Sequence, residues 1–123
     1  MFQLTFTFRK LMPDAEFAIS IYDIDDTLPM ETIVKNEVVQ VKILVRMPNQ
    51  IKIYVDTPIE LLGANLSYIN FNLDRLRQHL IYHPHGQDPV QGLVWDQSGY
   101  AILDLFDPDP FTYHLHIGTT IRL

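Results

Sequence analysis

A chain of 123 residues, 47% hydrophobic and 11% aromatic, has apolar material for one packed core, and it contains no cysteine. Disulfides, cysteine-ligated zinc and thiol nucleophiles are thereby excluded. Nine Lys and Arg against fifteen Asp and Glu leave a net charge of −6. That balance argues against nucleic-acid partners, whose phosphates call for clustered basic side chains.

The opening residues Met1 to Thr5 show no basic region followed by an apolar run, so no signal peptide is expected. No stretch approaches the roughly 18 consecutive apolar residues of a membrane helix. The expectation is a cytoplasmic protein with no membrane partner. Neither an internal repeat nor a linker-like run interrupts the chain, which predicts a single domain over 1–123.

Phe2, Leu4, Phe6 and Phe8 alternate with Gln3, Thr5, Thr7 and Arg9, the two-residue period of a half-buried strand. A turn around Pro13 precedes Phe17, Ile19 and Ile21, which predict a second strand in a hairpin with the first. From Asp23 to Asn36 the pattern lapses into loop residues, with room for a helical turn. Val39, Val41, Ile43 and Val45 then share one face, and Ile51, Ile53 and Val55 share another across the turn Met47-Pro48-Asn49-Gln50. These two runs predict the strongest hairpin, β-branched inside and charged outside. Lys35, Lys42, Arg46 and Lys52 cluster around it, and a solvated face explains them better than a phosphate patch.

Residues 59–64 read as a connector and Asn65 to Phe71 as a strand. Asn72 or Asp74 can cap a helix over 73–82, on which Leu73, Leu76, Leu80 and Ile81 form one stripe ahead of Pro84. Strands return at Val90 to Trp95, at Tyr100 to Phe106 after the turn 96–99, and at Phe111 to Ile117. Residues Thr119 to Leu123 complete an edge. Seven or eight short strands with turns about every ten residues predict a mainly β, antiparallel sandwich or barrel-like roll.

The run Phe17 to Leu28 contains Asp23-Ile24-Asp25-Asp26-Thr27 at the end of an apolar strand. This D-x-D-x-T resembles the first motif of the haloacid-dehalogenase-like phosphatases. The resemblance implies a nucleophilic Asp23, a general acid/base Asp25 and magnesium held partly by Asp23, splitting phosphoryl transfer into two steps. It covers about a dozen residues. The family's alternating strands and helices are missing, and Asp104, Asp107 and Asp109 lie in a proline-rich turn rather than forming its acidic pair.

In a sandwich the same acids suit calcium, which takes six to eight oxygen ligands. Asp23, Asp25 and Asp26 in one loop, with Asp104, Asp107 and Asp109 near another, would resemble the loop-borne sites of C2-type sandwiches. His114 and His116 point the same way on a strand, as a metal pair must and as in a cupin. The opposite face, Tyr113, Leu115 and Ile117, is the apolar one, so this pair is expected to face solvent. Solvated turn aspartates and surface histidines are the simpler readings, so no cofactor is expected beyond a possible divalent cation at Asp23, Asp25, Asp107, Asp109, His114 and His116. None of Ser20, Ser67 and Ser98 lies in G-x-S-x-G, and the five glycines form no phosphate loop.

The aromatics remain. Tyr54, Tyr82, Trp95 and Tyr100, with Lys52 beside Tyr54 on a polar strand face, are candidate ligand-binding residues of the kind that stack on sugars or form interfaces. Tyr68 and Tyr113 belong to the same set. The sequence therefore predicts a noncatalytic binding or assembly module with a protein or carbohydrate partner, and self-association is expected because a sandwich leaves edges to pair. The alternative is a metal-dependent module or hydrolase built on the acids or the histidine pair.

Overall fold

A computed structural model of the chain describes residues 2–23, 26–45, 50–67, 69–104, 113–114 and 120–121. The opening alternation forms β1 (Phe2–Lys10), and the second run forms β2 (Ile19–Asp23). Then follow β3 (Asp26–Thr27), β4 (Glu31–Lys35), β5 (Val38–Val45), β6 (Gln50–Val55), β7 (Ile59–Leu66) and β8 (Ile69–Asn70). A helix, α1 (Leu73–His79), leads into β9 (Leu80–Pro84), β10 (Val90–Gln91), β11 (Val94–Trp95) and β12 (Gly99–Asp104). The short pair β13 (Tyr113–His114) and β14 (Thr120–Ile121) completes the elements among the described residues.

The strands build an antiparallel sandwich. One sheet runs β11-β7-β1-β5-β4 with β8 on β7, and the other runs β10-β9-β12-β6-β2-β3. Among the described residues neither sheet closes on itself. Inward side chains of both meet in one core: Leu4, Phe6, Phe8, Val39, Val41 and Ile43 from the first, Ile21, Ile51, Ile53, Tyr82 and Leu103 from the second. Trp95 joins the layers, its ring 5.9 Å from Phe8 and 6.2 Å from Tyr82.

Two expected hairpins do not exist. β1 pairs with β5 and β7, whereas β2 pairs with β3 and β6 in the other sheet. Likewise β5 lies in the first sheet and β6 in the second, so their apolar faces meet across the core rather than side by side. Alternation reveals which face of a strand is buried; it does not reveal the strand's lateral neighbour. The basic cluster dissolves for the same reason, because Lys35 and Lys42 belong to one sheet and Lys52 to the other. The connector at 59–64 is part of β7. Its buried positions run Ile59, Leu61, then Ala64, Leu66, because a bulge opposite Thr7 and Phe8 shifts the register by one. One inserted residue reverses the in-out parity and hides the strand from a period-two reading.

The helix is shorter than the stripe implied. Asn72 caps it, its side chain accepting from the amides of Asp74 at 3.1 Å and Arg75 at 3.3 Å. Leu76 is buried, but Leu80 and Ile81 belong to β9, where pairing with β12 outweighs one more helical turn. No helix among the described residues is long and apolar enough to cross a membrane.

Candidate functional site: an aromatic row on the second sheet

With Ile19, Ile21, Ile51, Ile53, Val55, Ala101 and Leu103 committed to the core, the alternate residues of β2, β6, β12 and β9 must face outward. Register then aligns them. Ser20, Tyr54, Tyr100 and His83 form one row across four strands, and Tyr22, Lys52, Ile102 and Ile81 form the next.

The rings touch. Tyr22 meets Tyr54 edge-on with centroids 5.1 Å apart, Tyr54 lies 5.9 Å from Tyr100, and Tyr100 stacks on His83 at 4.6 Å with 17° between planes. The ammonium of Lys52 sits 4.7 Å from the Tyr100 centroid and 5.7 Å from that of Tyr54, within cation–π range. Tyr54 remains 42% exposed. Packing against one another restricts these side chains before any partner arrives, which lowers the ordering cost of binding.

Next to the row lies an open depression of about 500 Å³ bordered by Tyr54, Asp56, His83, His85, Gln87, Ser98 and Tyr100. Its rim is internally bonded. The Ser98 hydroxyl donates to Asp56 Oδ1 at 3.1 Å, and the His85 amide donates to the Ser98 carbonyl at 2.8 Å. Gly99 lets β12 approach β9 here, since a Cβ at this position would lie 2.2 Å from the His83 carbonyl oxygen. A glycine that reads as the last residue of a turn is therefore a strand residue required by the site.

The structure divides the aromatic candidates. Lys52, Tyr54 and Tyr100 share the outer face, but Tyr82 and Trp95 are buried and correct the expectation that they are exposed. The Tyr82 hydroxyl bonds the Gln97 carbonyl and accepts from the Gln97 amide at 3.1 Å, while the Trp95 indole donates to the Gly92 carbonyl at 3.1 Å. Burial pushes the Tyr82 phenol above the ordinary tyrosine range, Asp96 adding to the effect and the Gln97 bond opposing it. His83 belongs to the row and Tyr22 touches it from the next, and neither was among the aromatic candidates of the sequence. Their signal lay in two-residue spacing from core residues, but assigning them to one cluster needs the strand order.

The acidic candidates are placed only in part. Asp23 ends β2 and Asp104 ends β12, and both strands flank β6 so that Asp23 lies opposite Ile51 and Asp104 opposite Gln50. Both strand ends thus lie at one end of the sheet. Asp25, Asp107, Asp109 and His116 lie outside the described residues, as do the side chains of Asp23, Asp26 and His114. No group of three His, Asp or Glu suited to a metal ion occurs among the described residues. The setting also differs from that implied by the phosphatase resemblance, because β2 is an antiparallel strand between β6 and β3. Comparison with protein-family models, with characterised proteins and with solved structures gives no match, so function is read from this geometry alone.

Proposed function

We propose that this protein is a noncatalytic binding module that engages a protein partner through the outer face of its second sheet. The observation that carries this reading is the row Tyr54, Tyr100 and His83, joined from the neighbouring row by Tyr22 and by Lys52 among the rings. Tyrosines supply large, rigid contact area at low entropic cost and are enriched in interfaces. The stacking of His83 on Tyr100 covers ring faces, which favours contact through ring edges and hydroxyls. A carbohydrate partner is the second reading. It is supported by the depression beside Tyr54 and Tyr100, whose Asp56, His85, Gln87 and Ser98 rim suits sugar hydroxyls.

The test compares wild type with Tyr54→Ala/Tyr100→Ala, both immobilised and checked for native circular dichroism. A partner retained by wild type and lost by the variant supports the protein reading, with a fall in affinity of roughly tenfold or more expected for central aromatics. Specific signals on a glycan array, lost in the variant, support the sugar reading. Identical retention by both proteins refutes a role for the row. If retention is identical and calcium, magnesium or zinc raises the melting temperature, the acids at 23, 25, 107 and 109 or the pair His114 and His116 become the favoured site.

A further inference from the structure

β4 borders the first sheet, with β5 bonded to one side and, among the described residues, no strand on the other. All five of its residues are exposed. Thr32 and Val34 lie opposite Val41 and Val39, whose side chains are buried, so they belong to the inner face. Yet Val34 is 55% exposed, so this part of the inner face is left uncovered. On the outer face Ile33 is 46% exposed between Glu31 and Lys35. An unpaired edge with apolar residues on both faces is a template for another strand.

The charges identify which strand fits. We propose that β4 pairs antiparallel with β4 of a second copy of this chain, about a two-fold axis through Ile33, joining the two first sheets into one. That register sets Glu31 opposite Lys35 of the second copy, and symmetry repeats the pair. Thr32 meets Val34 of the second copy on the inner face, and the two Ile33 side chains meet on the outer face. A parallel in-register arrangement would set Glu31 against Glu31 and Lys35 against Lys35. A slip of two residues would lose both ion pairs. The two-residue turn at Asn36 and Glu37, with Asn36 at φ 57°, closes on a hydrogen-bonded Lys35 and Val38 pair. The amides and carbonyls of Thr32 and Val34 therefore point away from β5, towards the incoming strand.

This inference is independent of the proposed function, since the aromatic row lies on the other sheet. Sedimentation analysis across micromolar to sub-millimolar concentrations tests it. Wild type is expected to dimerise, more weakly at high salt. Glu31→Lys alone and Lys35→Glu alone each place like charges together twice, and each should weaken self-association roughly tenfold. Mixed together, the two variants set a strand with lysine at both 31 and 35 against one with glutamate at both, and they should form a heterodimer. Both substitutions are at exposed positions, and native circular dichroism checks the fold. A wild type monomeric at the highest concentration overturns the proposal, and so does a mixture that fails to associate.

Discussion

Tyr82→Phe removes one oxygen from the core and leaves the ring that packs against Trp95. Tyr82 is 2% exposed and its hydroxyl makes both a donor and an acceptor bond to the Gln97 backbone. Each net bond contributes about 0.5–1.5 kcal/mol. Gln97 is itself exposed, so water replaces part of the loss, and the variant should be less stable by about 1–2 kcal/mol. For a domain of this length the melting temperature should fall by roughly 4–8 °C. The hydroxyl also links stability to pH. Its folded pKa is raised, so above about pH 10 the unfolded chain releases this proton while the folded protein keeps it. The resulting stability is complete below that pH and is lost as pH rises towards the folded pKa, with a slope of at most about 1.4 kcal/mol per pH unit. Urea denaturation of wild type and variant between neutral pH and the alkaline range isolates the effect, because the other tyrosines titrate in both proteins. The gap between the two should narrow above pH 10. An unchanged midpoint at neutral pH, or curves that run parallel through the alkaline range, would refute the reasoning.

Gly99→Ala should force β12 from β9, since the new methyl meets the His83 carbonyl oxygen at 2.2 Å and the Pro84 Cα at 3.0 Å. A loss of about 1–3 kcal/mol in urea denaturation is expected, together with shifted His83 ring signals in NMR as the Tyr100 stack is disturbed. Thr57→Val keeps the shape of a buried side chain whose hydroxyl accepts from the Ala18 amide and donates to the Glu16 carbonyl, both at 2.7 Å. It should cost about 1–2 kcal/mol, and hydrogen exchange at the Ala18 amide should accelerate.

Much of the fold is legible in residue patterns. β2, β5 and β6 alternate strictly, and their buried positions follow from the two-residue period alone, while β1 departs from it only in burying Thr5 as well as Leu4, Phe6 and Phe8. β4 left no trace, because with Glu31 to Lys35 all exposed there is no alternation to detect. β7 was hidden by a bulge, and α1 lost its last turn to pairing that no local stripe encodes. Of the candidate site, Lys52, Tyr54 and Tyr100 were legible as aromatic and polar residues on strand faces. Tyr82 and Trp95 looked the same in sequence, because nothing local distinguishes an exposed ring from one that caps the core and bonds a carbonyl.

Composition and periodicity by themselves determined that this protein is β-rich and free of disulfides, and which side chains face inward on its regular strands. Those properties follow from burial and from backbone geometry, both of which act within a few residues. Strand order belongs to the tertiary structure. Only the pairing of β2, β6, β12 and β9, drawn from segments as far apart as Ile19 and Asp104, brings Tyr22, Tyr54, Tyr100 and His83 into one cluster on the outer face. Neighbours in a sheet are selected by packing across the whole core, and no single segment carries that information.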